Sequence, residues 1–299
     1  MRTGIRPRPL RCTIWRREAF IKYGIVMFPT DLSIRPDRLA VEVETRDFES
    51  LWFPEHSHIP ITEFGGKIKP PALPEYYQRI LDPFVALSAA AMVTTRLRLG
   101  TGVTLVAQRD PIWLAKEVAS LDYLSGGRVL FGIGYGWNRL ELENHGVQFG
   151  ERRSVLADRI AAMKALWGED EASYSGDHVA FGPSWAWPKP VQQPHPPILM
   201  GASAGPKTFA DIVDFCDGWM PLRNKDLPGE IAQLRELAAE RGRDSATIEI
   251  SQFWAKAQHD QLDLAEGYGV SRSIFAVPPA PEAEVIEVLD RLHRLVSER

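Results

Sequence analysis

A carboxylate and two imidazoles stand close together in the segment PEHSH, residues 54–58, directly after the apolar run SLWF. A histidine titrates near neutral pH and can give or take a proton during a reaction. His56 and His58 are therefore candidate acid–base residues, and structural histidines at a barrel rim are the alternative. The two histidines lack the one-turn helical spacing of a zinc pair, and no cysteine cluster exists, so we expect no metal site.

A glycine-rich segment, GIGYGWN, follows a later apolar run. Glycine lets a backbone come close to a flat ring, and an asparagine offers both the donor and the acceptor that a pyrimidine-like edge requires. The candidate ring-binding residues are Gly134, Tyr135, Gly136, Trp137 and Asn138. Glu141 is a candidate second acid or base. The alternative is a tight turn before a loop.

A second small-residue segment, GASAG, stands before a predicted helix. Free backbone N–H groups, a hydroxyl and the positive end of a helix together attract an anion, so the segment predicts a phosphate site. Its residues are Gly201, Ala202, Ser203, Ala204 and Gly205, with Lys207 one turn into the helix. A simple helix cap is the alternative.

Residues 95–138 predict a strand, a helix and a second strand. Val103, Leu105 and Val106 end the first strand, Asp110 with Pro111 begins the helix, and the pair Gly126-Gly127 ends it. Asp82 with Pro83 begins an earlier helix in the same way. A crossover helix between two strands indicates parallel pairing. The two glycine-rich strand ends, GTGV and GIGYGWN, then lie at the same edge of the sheet, where parallel α/β folds bind ligands.

The whole chain shows eight predicted strands that alternate with eight helices, as a (β/α)8 TIM barrel requires. A doubly wound open sheet is the alternative, but no G-x-G-x-x-G turn follows the first strand. We interpret Leu140 to Pro197, between strands four and five, as an insertion above the sheet. Trp185 and Trp187 either form a wall of the substrate pocket or pack within that insertion.

Composition narrows the class of protein. The 299 residues carry a net charge of -4, which gives no general attraction for nucleic acid. Cys12 and Cys216 make no disulfide framework, so we expect a cytoplasmic protein, and no apolar run reaches membrane-spanning length. Residues 1–21 are rich in arginine and are interpreted as a disordered extension or, alternatively, a basic docking arm. Residues 22–299 form one predicted domain.

Five segments, taken in order, resemble the luciferase-like monooxygenase superfamily: SLWFPEH, RLRLGTGV, LAKEVASLDYLSGGR, GIGYGWN and GASAGPKTF. Within it, the chain is similar to the branch that uses the deazaflavin coenzyme F420. The resemblance implies an oxidoreductase, expected to be a homodimer, that transfers a hydride to or from a small organic substrate. An FMN-dependent monooxygenase is the first alternative, and a non-catalytic cofactor-binding protein is the second alternative.

The resemblance also implies roles for single residues. Glu55 and His56 match an acid–histidine pair beside the reacting face of the cofactor, whose phosphate is expected at the GASAG segment. Gly102 and Val103 match a bulge with a non-proline cis peptide, which presses on the cofactor's central ring. Pro60 stands where some sugar-phosphate-oxidising relatives have a tryptophan, so their substrate is not expected.

Four basic residues, Lys67, Lys69, Arg152 and Arg153, have two interpretations. They either meet the acidic polyglutamate tail of the deazaflavin or form an ordinary solvated surface.

Overall fold

The computed structural model describes residues 21–61, 73–222 and 225–299. The strands are β1 (Lys22–Val26), β2 (Ser50–Phe53), β3 (Arg98–Thr101), β4 (Val129–Ile133), β5 (Ala172–Ser175), β6 (Ala180–Ser184), β7 (Ile198–Ala202), β8 (Gly218–Pro221), β9 (Glu249–Phe253) and β10 (Arg272–Ala276). The α-helices are α1 (Pro36–Thr45), α2 (Pro83–Val93), α3 (Pro111–Ser125), α4 (Arg139–Asn144), α5 (Arg152–Gly168), α6 (Pro206–Phe215), α7 (Leu227–Glu240), α8 (His259–Gly267) and α9 (Glu282–Ser297). Lys67, Lys69 and the predicted extension, except Ile21, lie outside the described residues.

Eight of these strands close into a barrel in the order β1-β10-β9-β8-β7-β4-β3-β2. The pairings around the ring are parallel, and β1 closes it by pairing with both β10 and β2. The predicted (β/α)8 barrel is confirmed, and the open sheet is not formed. The carboxyl ends of all eight strands therefore meet at one mouth, which brings segments distant in sequence together.

Two helices begin as the sequence predicts, with an aspartate cap followed by proline. The Asp82 side chain accepts from the backbone N–H of Val85 at the start of α2. The Asp110 side chain accepts from two N–H groups at the start of α3, and Gly126 ends that helix with a left-handed φ of 70°. Only glycine adopts that conformation without steric cost, so the predicted limits of α3 are confirmed.

The barrel interior is filled by large apolar side chains, among them Trp52, Met220 and Phe253. Trp52 is fully buried, and it fits because β3 carries a glycine opposite it. A Cβ atom at Gly100 would lie 2.2 Å from the Trp52 ring. The interior is thus a packed core, and any ligand must bind at an end of the barrel.

The amino-terminal end of the barrel is closed by a buried ion cluster. Arg272, only 1% exposed, donates to both carboxylate oxygens of Glu49 at 2.8 Å. Its third nitrogen donates to Glu249 and to the hydroxyl of Ser251. The Glu49 and Glu249 carboxylates raise the pKa of Arg272 despite its burial. Although burial opposes it, Arg272 lowers the pKa of Glu49 to about 2.

The third strand is shorter than the sequence predicts. It ends at Thr101, so Val103, Leu105 and Val106 do not belong to it. The chain turns there because Val106–Gln108 forms a 3-10 turn, while Thr104 makes a single parallel bridge to Ile133. The predicted cis peptide between Gly102 and Val103 is confirmed.

An insertion between the fourth and fifth barrel strands is present, but Leu140–Pro197 as a whole does not lie above the sheet. Its main helix, α5, packs beside α3 and α6 in the outer layer of the barrel. The reason is its apolar face, which buries Leu156, Ile160 and Met163. After α5 the segment forms an antiparallel hairpin of β5 and β6, and β5 packs against α5.

Across the described ranges, none of the helices combines the length and apolar character needed to cross a membrane. Within the same ranges, no group of three or more His, Cys, Asp or Glu side chains is arranged to hold a metal ion.

Candidate active site

His56 lies at the mouth, directly after β2, and is held by a buried carboxylate. Its Nδ1 is 2.8 Å from Oε2 of Glu141, whose side chain is fully buried. The other oxygen of Glu141 accepts from the backbone N–H of Ser57 at 2.9 Å. Because an ionised carboxylate only accepts, Nδ1 of His56 carries the proton and Nε2 is the nitrogen left for chemistry. The geometry therefore favours a positioning role for Glu141 over that of a second acid or base.

Glu141 reaches His56 because α4 begins at the right place. Asn138 caps this helix, with its side-chain oxygen 3.3 Å from the backbone N–H of Glu141. The cap uses the acceptor that we predicted for the edge of a cofactor ring. Asn138 is 4% exposed, so its position is fixed by the start of α4.

Glu55 is buried next to His56 but faces a different partner. It accepts from the backbone N–H of Leu105 at 2.7 Å and from Arg109. Arg109 also binds Asp82 and Glu117, so one guanidinium links the turn after β3 to α2 and α3. Burial raises the pKa of Glu55, against the opposing charge of Arg109. Both Glu55 oxygens are engaged, which favours an anchoring role over the predicted catalytic one.

His58 belongs to a polar cluster at the surface. Its Nδ1 is 2.9 Å from the Ser57 hydroxyl, and its Nε2 is 2.9 Å from the Asn144 amide nitrogen. The same hydroxyl lies 2.7 Å from Nε2 of His145, whose pKa is lowered by burial and by the nearby His58. With both ring nitrogens engaged, His58 is less available than His56 as an acid or base.

Three of the predicted cofactor-binding segments meet at the Val103 side chain. A Cβ atom at Gly134 would lie 2.5 Å from one Val103 methyl group, and at Gly201 it would lie 2.4 Å from the other. The two glycines therefore form a cradle for Val103, which fixes the bulge after β3 against the ends of β4 and β7. The predicted contact of these glycines with a cofactor remains a prediction.

Two polar atoms beside this bulge lack partners. Thr104 Oγ1 and Gln108 Nε2 are buried, and neither has a hydrogen-bond partner among the residues described. Gln108 lines a cavity of about 390 Å³ together with His56 and Arg109. Since buried polar groups are normally satisfied, an unpaired donor in a cavity fits a ligand with a polar edge. The residues present thus fit a flavin-like or deazaflavin-like ring.

Two aromatic side chains flank His56. Its ring centroid is 5.4 Å from that of Tyr77 and 5.5 Å from that of Trp137. Trp137 was predicted to lie at the site, and at 49% exposed it leaves a surface that a ring can stack on. Sequence reasoning missed Tyr77, Gln108 and Thr104. For the last two, their place just after a barrel strand was the available signal.

The predicted phosphate site lies at the start of α6. Gly205 is the N-cap residue, and no side chain of a described residue caps the helix, so its first N–H groups are available. The side chains of Ser203 and Lys207 are exposed, Ala202 is buried, and Ala204 is half-buried. This arrangement fits an anion, and its occupant remains a prediction.

Tyr135 and Gly136, the two residues after Gly134, have different structural roles. The Tyr135 hydroxyl is 2.5 Å from Asp211 of α6, and Arg153 lies over the Tyr135 ring at 4.4 Å. Burial and the Asp211 hydrogen bond raise the pKa of Tyr135, so it stays neutral. Gly136 has a φ of 77°, a left-handed turn that favours glycine.

Trp185 and Trp187, for which a wall of the substrate pocket was one of two interpretations, do not line the cavity at His56. Trp185 lines a separate groove of about 130 Å³ with Ile112 and Lys116, on the outer side of α3. Lys116 donates to the carbonyl of Trp187. This groove shares no lining residue with the cavity at His56, because β5 and β6 pack on the helical layer.

Of the four basic residues with two interpretations, the structure describes Arg152 and Arg153. The Arg152 guanidinium stacks on the Phe149 ring at 3.8 Å, and Arg153 pairs with Asp211 at 2.6 Å.

Comparisons with solved structures agree with this architecture. The monooxygenase RslO1 from Streptomyces bottropensis superposes with a TM-score of 0.75 at 20% identity, over 93% of this chain and 99% of that one. The coenzyme F420-dependent tetrahydromethanopterin reductase of Methanopyrus kandleri gives 0.69 at 17% identity, over 93% and 99%. At these identities the likeness concerns the fold alone.

Sequence comparisons identify the family. The chain is 42% identical over 274 residues to the uncharacterized protein Rv0953c of Mycobacterium tuberculosis, which covers 90% of this chain and 96% of that protein. It is 25% identical over 233 residues to 5,10-methylenetetrahydromethanopterin reductase of Methanolobus tindarius, covering 77% and 64%. Residues 36–266 match the family described as luciferase-like monooxygenase. This chain is therefore a member of the luciferase-like monooxygenase family.

Proposed function

We propose that this protein is a coenzyme F420-dependent oxidoreductase that transfers a hydride to or from a small organic substrate. Members of the family are oxidoreductases, and its relatives and structural neighbours include enzymes that use F420 or reduced FMN. The observation that carries the proposal is the buried His56–Glu141 pair at the barrel mouth. Such a pair supplies the proton that accompanies transfer of a hydride at a carbonyl or alcohol.

The bound deazaflavin supplies two-electron hydride chemistry, which no side chain offers. His56 gives or takes the matching proton at Nε2, while Glu141 keeps the ring oriented through Nδ1. Gln108, with its unpaired amide nitrogen at the cavity, would hold the polar edge of the ring. The open start of α6 would bind the cofactor's phosphate.

Titrating the purified protein separately with F420 and with FMN tests the choice of cofactor. We expect saturable binding of F420, seen as a change in its fluorescence, and weaker binding of FMN. Tight FMN binding without a response to F420 would replace the proposal with an FMN-dependent monooxygenase. That alternative is kept because the chain is also 27% identical, over 169 residues, to the FMNH(2)-dependent dimethylsulfone monooxygenase of Pseudomonas putida.

Turnover separates an enzyme from a cofactor carrier. Reduced and oxidised F420 are each incubated with panels of small ketones, aldehydes and alcohols, and absorbance reports hydride transfer. Cofactor binding with no transfer across a broad panel would favour the non-catalytic protein. As the family resemblance implies, we also propose that the protein is a homodimer.

A further inference from the structure

Four aromatic side chains lie side by side at the barrel mouth, next to His56. Phe28 follows β1, Tyr76 and Tyr77 lie in the segment between β2 and α2, and Trp254 directly follows β9. The ring centroid of Phe28 is 4.8 Å from that of Tyr76, 5.0 Å from that of Tyr77 and 6.2 Å from that of Trp254. We call these four residues the aromatic wall.

Backbone contacts hold the two tyrosines of the aromatic wall in place. The N–H of Leu81 donates to the carbonyl of Pro29 at 2.9 Å, and Thr30 makes an antiparallel bridge to Ile80. These contacts join the segment that carries the tyrosines to the chain that follows β1. The fold of the backbone therefore places both tyrosine rings against Phe28.

Trp254 differs from an ordinary core residue in exposure and in backbone conformation. It is 51% exposed, and its φ of 58° lies in the left-handed region, which a bulky residue rarely adopts. Phe253 before it is part of the barrel core, and the N–H of Ala255 after it donates to the carbonyl of Ile274 at 2.9 Å. Because both neighbours are fixed, the turn at Trp254 is held too. Strained backbone of this kind is concentrated at sites that bind ligands.

The aromatic wall adjoins both the proton donor and the expected place of the cofactor. The Tyr77 ring centroid is 5.4 Å from that of His56. A Cβ atom at Gly102 would lie 2.5 Å from the Phe253 ring, so the end of β9 touches the bulge against which the cofactor ring is expected. A flat molecule on the aromatic wall would therefore lie beside His56 and beside the cofactor.

The charges around His56 disfavour an anionic substrate. Among the described residues that line the cavity, Arg109 is the only arginine or lysine. Its guanidinium already binds the carboxyl groups of Glu55, Asp82 and Glu117. A substrate carboxylate or phosphate would meet these three carboxyl groups without a cation of its own. Since burying an unpaired charge is costly, an uncharged substrate fits the cavity better.

We infer that the substrate is an uncharged aromatic carbonyl compound, or the corresponding alcohol, whose ring stacks on the aromatic wall. Aromatic rings attract one another in offset-stacked and edge-to-face arrangements, so the wall selects a flat ring over a saturated one of the same size. The inference rests on the hydride transfer proposed above.

The reaction of such a compound balances with the groups already assigned. In the reducing direction, the carbonyl carbon accepts the hydride from reduced F420, and the carbonyl oxygen accepts the proton from Nε2 of His56. Oxidation of the cofactor also releases one proton for each hydride, and this proton replaces the one that His56 has lost. The products are the alcohol and oxidised F420, and the reverse reaction oxidises the alcohol.

Two ketones of nearly equal size test the inference: acetophenone has a flat aromatic ring, and cyclohexyl methyl ketone has a saturated one. Calorimetric titration of the protein loaded with oxidised F420 measures binding without turnover, and the absorbance of reduced F420 measures turnover. We expect acetophenone to bind about two- to tenfold more tightly, as for one aromatic pair, and to have the higher kcat/KM. 4-Acetylbenzoate, which adds a carboxylate to the same ring, should bind about tenfold or more weakly than acetophenone.

Variants of Trp254 connect this preference to the aromatic wall. Trp254→Leu should weaken acetophenone binding about two- to tenfold and leave the affinities for cyclohexyl methyl ketone and F420 little changed. Trp254→Phe keeps a ring and should keep the preference. The matched control is Trp187→Leu, which removes another exposed tryptophan, away from the cavity, and should behave like wild type. Circular dichroism checks that each variant folds.

The inference and the proposed function fail in different ways. Equal binding of the two ketones to wild type, or an unchanged preference for acetophenone in Trp254→Leu, would overturn the inference. So would tighter binding of 4-acetylbenzoate than of acetophenone, or hydride transfer to aliphatic ketones alone, and the proposed oxidoreductase would then remain. Preferred binding of acetophenone without hydride transfer to any ketone or from any alcohol would instead remove the proposed reaction and leave the aromatic wall as a binding surface.

Discussion

The two ends of the barrel both bury polar side chains, but they differ in how completely the hydrogen bonds of those side chains are satisfied. At the amino-terminal end, Arg272 donates to two carboxylates and a hydroxyl around it. At the mouth, Glu141 orients His56, while Gln108 Nε2 and Thr104 Oγ1 stay buried without partners in the described part of the chain. The fully paired cluster around Arg272 fits a role in stability, and the incompletely paired groups at the mouth fit a role in binding.

This difference follows from where a barrel can hold a ligand. The packed interior, with Trp52 at its centre, separates the two ends. Charged groups at the amino-terminal end must therefore find partners within the protein, because an unpaired buried charge is strongly destabilising. At the mouth, a bound molecule can complete the hydrogen bonds. The comparison predicts that changes at one end alter stability and changes at the other alter activity.

The largest effect is expected at the mouth, for His56→Asn. The amide can still donate to Glu141, so the fold is retained, but it cannot transfer a proton. Turnover with F420 should fall about 10²–10⁴-fold, the usual contribution of a general acid or base, with cofactor affinity little changed. The control is His259→Asn, since His259 is exposed on α8. Full activity of the His56 variant would show that the proton comes from elsewhere.

At the opposite end, Arg272→Met should act on stability. Removing the guanidinium takes the bidentate partner from Glu49 and leaves Glu249, within the described residues, with Lys22 and Ser251 only, and breaking a buried pair costs about 3–5 kcal/mol of unfolding free energy. Urea denaturation measures the loss, and specific activity of the folded fraction should stay near that of wild type. Arg38→Met, at an exposed ion pair, is the control that should leave the unfolding midpoint unchanged. A stable but inactive Arg272 variant would contradict the division between the two ends.

Lowering the pH should destabilise the protein through Glu49, at the amino-terminal end of the barrel. Its pKa falls from 4.5 to about 2 on folding, so its contribution is fully present above pH 4.5 and is lost as the pH drops towards 2. The full contribution is about 3 kcal/mol, at 1.36 kcal/mol per pKa unit. Between pH 5 and 2, Glu49→Gln should therefore lose less unfolding free energy than wild type by about that amount. Parallel acid titrations of the two proteins would disprove the coupling of Glu49 to Arg272.

The smallest effect is expected for Gln108→Leu at the mouth. No hydrogen bond within the described residues is lost, so the free protein should keep or slightly gain stability. The variant should bind F420 about two- to tenfold more weakly, as expected for one hydrogen bond of about 0.5–1.5 kcal/mol. Thermal denaturation with and without cofactor reads both effects in one experiment. A clear loss of stability without cofactor would show that Gln108 already has a partner.

Much of the scaffold could be predicted because its signals are local. The aspartate–proline starts of α2 and α3 and the glycine that ends α3 act through neighbouring residues only. The alternation of strands and helices then fixed the barrel, and with it the edge where the GTGV, GIGYGWN and GASAG segments meet. The cis peptide at Val103 was predicted from family resemblance rather than from any local pattern.

The partners of the site residues could not be predicted in the same way. α4 has six residues, too short to show a periodic pattern, so the contact of Glu141 with His56 was hidden. That Glu55 faces Arg109 depends on the turn after β3, which was mistaken for strand. Whether Gln108 is paired is a property of its surroundings in three dimensions. The place of Trp185 and Trp187 stayed open between two interpretations because nothing in their sequence shows which layer the hairpin packs on.

The cradle around Val103 limits how this mouth can diversify. Alanine at Gly201 alone would collide with a valine methyl group, and a smaller residue at 103 alone would leave a gap against both glycines. Acceptable substitutions must therefore be made together, so that side-chain volume lost at one of positions 103, 134 and 201 is gained at another. A library that varies one of these positions at a time would find few folded sequences, whereas joint variation would open alternatives that single steps do not reach.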